Sequence, residues 1–371
     1  MPYMLRQRIT SIGALEAVPT WRYKLPSVGK YTAFELIVDC NRLQARADPD
    51  VNYPIESQIS KVELVEGGSR ALTSLTGSQL DAVNYWQNGR TAARRTSQSA
   101  AGDNLIHLFL MGGRDLFDTS WGYDLSKMGE TYIEYSHDLS ADAAEKFDVS
   151  SHTVYLYGWK WEGPGEPTFD RFLRTRQLAA WSTVAADTIH TVNLPIGNPY
   201  RFVGFQSKTH NASLGGAASR VELSVNNGQY SPVTIQSCMH WVMQEAQEYH
   251  LNNIISGQDW VIGTASVDLP AYFSYGGDLQ ATARSAAGPL DLTVRPWTNP
   301  MTVTAITAGD NDITYLMSGY GFQKCLRIGF DHLPDGGDLL ATSGFGSMDL
   351  LVTEAAADKS VAVFAQDVLS Y

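Results

Sequence analysis

The chain has 371 residues, 44% hydrophobic and 11% aromatic, and its 27 Lys and Arg against 39 Asp and Glu leave a net charge of −12. That length holds two ordinary domains with a core each, and the acidic balance argues against direct nucleic-acid binding, because like charges repel. Cys40, Cys238 and Cys325 are too few and too widely spaced for a disulfide framework or a zinc pattern, no apolar run approaches the ~20 residues of a bilayer span, and Met1 to Ile9 lacks the apolar core of a signal peptide.

In chain order, residues 1–18 read as an N-terminal arm. Arg6 and Arg8 lie there amid apolar residues, able to touch an anionic surface or partner, or simply to fray. Residues 19–162 form a first unit whose alternating apolar and polar runs predict strands at Thr20 to Leu25, Ala33 to Asp39, Lys61 to Val65, Arg70 to Ser74, Leu105 to Leu110, Thr131 to Ser136 and His152 to Trp161. Helical periodicity runs from Gln79 to Trp86, with Asn88-Gly89 as its stop. Gly163-Pro164-Gly165-Glu166-Pro167 supports no regular structure and opens a linker region over 163–187.

The second unit, 188–371, predicts strands at Thr188 to Leu194, Arg201 to Ser207, Arg220 to Val225, Pro232 to Ile235, Ser266 to Leu269, Met301 to Thr307, Ile313 to Met317, Leu326 to Phe330, Ser347 to Thr353 and Val361 to Gln366. A second helix is read from Met239 to His250, with Met239, Val242, Met243 and Ala246 on one face.

The two units share words. Leu25-Pro26 followed by Tyr31 returns as Leu194-Pro195 followed by Tyr200, an offset of 169 (194 − 25), and Ser60-Lys61-Val62-Glu63-Leu64 returns as Ser219-Arg220-Val221-Glu222-Leu223, an offset of 159 (219 − 60). Glycine turns follow in both, Gly67-Gly68 and Asn227-Gly228. A repeat of this length is a duplicated domain rather than a solenoid array.

Chemistry is sparse. The histidines have no metal-ligand spacing, there is no Gly-x-Ser-x-Gly elbow, and Gly112-Gly113-Arg114 lacks the Lys-Ser/Thr of a phosphate loop. Asp48-Pro49-Asp50, Asp310-Asn311-Asp312 and Asp335-Gly336-Gly337-Asp338 are oxygen-rich enough for calcium, and equally the residues that tight turns favour. Glu162, Glu166 and Asp170 beside Trp159 and Trp161 could serve a glycoside-cleaving cleft if two carboxylates stood about 5–9 Å apart, and otherwise are linker acids. Arg90, Arg94 and Arg95 read as a solvated loop ahead of a phosphate site, and Glu63 and Glu222 as solvent-facing strand residues. No catalytic, cofactor-binding or metal residue is assigned, and no cofactor.

On Lys61-Val62-Glu63-Leu64, the Gly67-Gly68 turn, Leu75-Thr76-Gly77-Ser78-Gln79-Leu80 entering the helix, and Arg220-Val221-Glu222-Leu223 with Asn227-Gly228, the chain resembles the double jelly-roll major capsid proteins of tailless icosahedral viruses of the adenovirus lineage. The resemblance implies an all-β fold of two tandem jelly-roll β-sandwiches, each with a short inserted α-helix, and a structural, non-enzymatic role in the virion. It further implies a homotrimeric, pseudo-hexagonal capsomer, contacts with neighbouring capsomers and with penton and minor capsid proteins, and an N-terminal arm turned toward an internal membrane. Loops Arg90 to Asp103 and Tyr272 to Pro289 would decorate the exterior or clamp neighbours. The alternative from another class is a carbohydrate-binding or carbohydrate-cleaving β-sandwich.

Overall fold

A computed structural model describes residues 1–13, 20–42, 54–88, 93–97, 103–139, 147–209, 214–234, 249–257, 266–269, 279–285, 288–294, 301–304, 311–319, 321–331 and 339–371. The first half contains β1 (Tyr3–Gly13), β2 (Thr20–Lys24), β3 (Lys30–Arg42), β4 (Lys61–Glu66), β5 (Arg70–Leu75), α1 (Gly77–Asn88), β6 (Arg94–Ser97), β7 (Asp103–Met111), β8 (Tyr123–Asp124), β9 (Thr131–Ser136) and β10 (Phe147–Glu162). The second half contains β11 (Arg171–Ser182), β12 (Ile189–Asn193), β13 (Tyr200–Ser207), the single turn α2 (Leu214–Ala217), β14 (Ala218–Val225), β15 (Gly228–Thr234) and β16 (Tyr249–Gly257). It continues with β17 (Ser266–Leu269), β18 (Leu279–Ser285), β19 (Gly288–Val294), β20 (Met301–Thr304), β21 (Asn311–Gly319), β22 (Cys325–Gly329), β23 (Met348–Glu354) and β24 (Ser360–Ser370).

Alternation explains the strands. Along β7, Asn104, Ile106, Leu108 and Leu110 point inward while Leu105, His107 and Phe109 point outward; along β10, Val154 and Leu156 enter the core and Tyr155, Tyr157 and Trp159 stay outside. The inward sets meet in one core within each roll, and the first core continues into the second half through Phe202, Phe322 and Phe364.

The duplication is exact in topology. In the first half, antiparallel sheets β1-β10-β3-β7 and β2-β9-β4-β5 make an eight-stranded roll; in the second, β11-β24-β13-β22 and β12-β23-β14-β15 repeat that order strand for strand. Each repeated word sits at its equivalent place. The Leu25 and Leu194 amides, just past β2 and β12, both donate at 2.8 Å to the carbonyl of the residue that opens the paired strand, Thr131 of β9 and Met348 of β23. Val62 and Leu64 on β4 and Val221 and Leu223 on β14 are all buried, and beside them Lys61 pairs with Glu63 at 2.6 Å and Arg220 with Glu222 at 3.0 Å. Even the bulges recur: β1 shifts register between Arg8 and Thr10 and β11 between Gln177 and Ala179, again 169 apart (177 − 8).

Two parallel pairings join the halves. β5 lies beside β11, Thr73 opposite Thr175 and Ser74 opposite Arg176, and β6 lies beside β16, from which β21, β18 and β19 extend the first roll's sheet.

Several expectations are corrected. The segment 1–18 is not a free arm through Tyr3–Gly13, because β1 is hydrogen-bonded along β10. Within 163–187, Arg171–Ser182 is β11, whose ladder to β24 makes it a strand of the second roll rather than a link. Glu63 is buried rather than solvent-facing, accepting from the Ser74 hydroxyl at 2.6 Å and pairing with Lys61 at 2.6 Å. The loop read over 90–103 contains β6, and the loop read over 272–289 contains β18 and the start of β19. Of the helix read over 239–250, residues 239–248 lie outside the described residues, and Tyr249 and His250 open β16. Strands β1, β6, β8, β11, β16, β18 and β19 lie outside the strands that the pattern predicts.

Candidate functional site: the junction between the rolls

The junction is built around α1. Its start is a reciprocal capping box: the Thr76 amide donates to Gln79 Oε1 at 3.0 Å and the Gln79 amide to Thr76 Oγ1 at 3.3 Å. Gln79 then reaches across, donating Nε2 to Gln177 Oε1 on β11 at 3.0 Å. Gly77 is required by close approach, since a Cβ there would lie 2.4 Å from the Glu56 carbonyl oxygen and 2.7 Å from Ile59 Cβ. One helical face carries Tyr85 and Trp86 onto the second roll, Tyr85 edge-on to Phe322 at 5.7 Å and Trp86 edge-on to Phe202 at 5.2 Å.

Beneath this lies a buried ionic cluster. Arg94, its side chain 4% exposed, gives Nη1 to Glu56 Oε1 at 2.9 Å and Nη2 to both Asp81 oxygens at 2.8 Å. Gln323, from the second roll, donates Nε2 to Glu56 at 3.1 Å and to Asp81 at 2.6 Å. It is aimed there by a left-handed turn, φ 52° at Gln323 and 54° at Lys324, a conformation that non-glycine residues adopt at a cost of about 1–2 kcal/mol each. Burial pushes the Glu56 carboxyl above its ordinary range, against the pull of Arg94. Burial also lowers the Lys324 ammonium to about 8, where its Nζ donates to the Thr209 carbonyl at 2.9 Å. The cluster ties the two rolls together, since Gln323 of the second bonds to Glu56 and Asp81 of the first.

A second polar set lies on the outer face of β1-β10-β3-β7. Glu35 accepts from Arg6 at 2.7 and 3.1 Å, from Trp159 Nε1 at 3.0 Å, and contacts His107 Nδ1 at 2.7 Å. Burial alone would raise this carboxyl; the bonds from His107, Arg6 and Trp159 outweigh it and hold it at about 2. The Arg6 guanidinium lies 3.9 Å over Tyr157 and that of Arg8 5.1 Å over Tyr155.

One end of the molecule gathers both termini. Tyr371 donates to the Gly122 carbonyl at 2.7 Å and packs on Phe172 at 4.9 Å, Gly163 lies against Met1 and Tyr3, and the exposed apolar side chains Val28, Phe117 and Ile196 sit in the turns at this end.

The residues singled out in the sequence separate widely. Arg94 joins the junction, while Arg95 stays exposed beside Asp103 at 2.8 Å and Arg90 lies outside the described residues. Glu162 pairs with Lys160 at 2.7 Å, Glu166 with Lys30 at 3.6 Å and Asp170 with Arg171 at 3.8 Å, each acid with its own cation. The Trp159 and Trp161 indoles are engaged by Glu35 and the Asp118 carbonyl. Asp48, Asp50, Asp310, Asp335 and Asp338 lie outside the described residues, and Asp312 is on β21. Among the described residues no group of three or more His, Cys, Asp or Glu is placed to hold a metal. Glu56, Asp81 and Gln323 were missed by sequence reasoning, because three distant segments contribute them and no local motif marks them.

No protein-family model and no curated protein matches the chain. Solved structures do. The chain is similar to the crystal structure of the STIV MCP, with TM-score 0.61 and 10% identity over 100% of this chain and 97% of that one. It is also similar to the major capsid protein P2 from Bacteriophage PM2, with TM-score 0.52 and 9% identity over 100% and 98% of the two chains. A chain in the atomic structure of Sulfolobus Turreted Icosahedral Virus matches with TM-score 0.60 and 10% identity over 99% and 90%. At such identities the likeness defines the fold: the protein is a double jelly roll.

Proposed function

We propose that this chain is the major capsid protein of an icosahedral virus, resident in the virion and forming homotrimeric, pseudo-hexagonal capsomers. The observation that carries the reading is the strand-for-strand repeat of one roll by the other, matched along its full length by capsid proteins of two viruses. A chain with two equivalent rolls lets three copies fill six lattice positions, which a single roll cannot do with three. The buried charges of the junction support a structural rather than catalytic role, because they are spent on fixing one roll against the other. The end that carries both termini and exposes Val28, Phe117 and Ile196 is the one we place inward, toward an internal membrane or minor capsid proteins.

The test is the native mass in solution by light scattering, followed by electron microscopy of the same sample. A discrete trimer with a hexagonal outline supports the capsomer. A monomer at every concentration overturns it, and saturable glycan binding by that monomer would favour the carbohydrate reading.

A further inference from the structure

We propose that the outer face of β1, β10, β3 and β7, together with the outer edge of β1, receives the second roll of a second copy of this chain, repeating between chains the junction already made within one. The proposal rests on the trimeric reading above and adds the contacting residues to it.

The template is β5 against β11. In roll order β11 is the counterpart of β1, since each opens its roll, each pairs antiparallel with the last strand of that roll, and each carries the same bulge. The counterpart of β5 is β15: Thr73 stands opposite Leu64 in the first roll and Ser231 opposite Leu223 in the second. Within the chain the outer edge of β11 is taken by β5, whereas the outer edges of β1 and β15 carry no strand among the described residues. Among the described residues, each chain therefore has one junction made and the two halves of another left open. Carried over at the same offset, Arg6 and Gln7 take the places of Thr175 and Arg176, and Ser231 and Pro232 those of Thr73 and Ser74.

The faces agree with the edges. On the second roll, Phe364 and Gln366 lie under α1 and are fully buried. Phe364 pairs with Gly204 and Gln366 with Phe202; the equivalent pairings in the first roll, Tyr157 with Glu35 and Trp159 with Ala33, identify Tyr157 and Trp159 as their counterparts. There the same positions are only half-buried, roofed by Arg6 rather than by a helix. Aromatic and arginine side chains on one half-covered face are the composition of an interface core. Pro232 lacks an amide hydrogen, and the intrachain ladder is itself only two residue pairs long, so the contact depends on this face more than on main-chain bonds. The contact is head-to-tail, and such contacts repeat until a ring closes. Three copies present six rolls joined by six like junctions, alternately within and between chains.

The experiment uses the full chain. Arg6→Cys and Ser231→Cys are introduced singly and together, oxidised, and run without reductant, with the wild-type chain as control for its own cysteines. We expect bands at two and three chain masses that appear only in the double variant and vanish with reductant. In parallel, Tyr157→Glu is weighed by light scattering, with circular dichroism to confirm folding; we expect association at least ten-fold weaker and a monomer with unchanged far-ultraviolet signal. A wild-type trimer whose double variant gives no such ladder, or a Tyr157→Glu chain that remains fully trimeric, overturns the seam while leaving the trimeric reading standing. A monomeric wild type overturns both.

Discussion

The indole of Trp86, on the helix of the first roll, stacks on the Phe364 ring of the second with 5.8 Å between centroids and 6° between planes. It also meets Phe202 edge-on. Trp86→Ala removes both contacts. Because Trp86 is partly exposed, we expect a loss of about 2–3 kcal/mol, short of the range for a fully buried tryptophan. Calorimetry should also resolve one cooperative transition into two, as the rolls lose their shared core.

Arg94 faces Glu56 and Asp81 with almost no water. Truncating it to Ala leaves two carboxylates buried with only Gln323 between them, a change that costs about 3–5 kcal/mol where one partner of a buried pair is removed. Urea denaturation of Arg94→Ala should show a midpoint well below that of the wild type. Arg95→Ala, whose partner Asp103 is exposed, should shift it by less than about 0.5 kcal/mol.

Acid should act in two windows. His152 is buried against His137, ring centroids 4.6 Å apart, and its Nε2 meets the Tyr135 hydroxyl at 3.1 Å. Burial, reinforced by His137, lowers it from 6.5 to about 3. The unfolded chain takes up a proton below pH 6.5 that the folded chain refuses, so stability falls as pH drops from 6.5 toward 3. Glu35, held at about 2, contributes stability that is complete above pH 4.5 and lost as pH falls from 4.5 toward 2. Urea titrations at several pH values should find the upper window flattened in His152→Leu and the lower one flattened in Glu35→Gln, each variant leaving the other window in place.

The rolls themselves were legible because their strands alternate. β4 and β14 announce their inward faces in the words Val62-Glu63-Leu64 and Val221-Glu222-Leu223, and the capping box of Thr76 and Gln79 marks the start of α1. What alternation did not reveal was β1 and β11. Arg6-Gln7-Arg8 and Arg174-Thr175-Arg176 put two charges on one face of a strand and a polar residue on the other, so no apolar face shows, because the charged face looks onto aromatic rings and a carboxylate instead of solvent. The junction was illegible for a different reason. Arg94, Glu56, Asp81 and Gln323 are brought together by tertiary packing alone, and each read singly is an ordinary polar residue.

Gly77 is where local preference and packing oppose each other most directly. An alanine in the first turn of a helix ordinarily stabilises by about 0.4–1 kcal/mol, by restricting the unfolded chain. Here the added Cβ would meet the Glu56 carbonyl oxygen at 2.4 Å and Ile59 Cβ at 2.7 Å, on a segment tied to α1 by the Gly77 amide's 2.9 Å bond to the Ile59 carbonyl. Backbone cannot swing aside as a long side chain would, so either α1 or the Ile55–Gln58 turn must move, and movement of that turn draws Glu56 away from Arg94. Overpacking of this kind costs about 1–3 kcal/mol, which outweighs the propensity gain. We expect Gly77→Ala to melt earlier than the wild type and Gly344→Ala, whose Cβ would meet nothing within 4 Å, to melt within about 0.5 kcal/mol of it. Should Gly77→Ala prove as stable as Gly344→Ala, the close approach of helix and turn is not what holds the ionic cluster together.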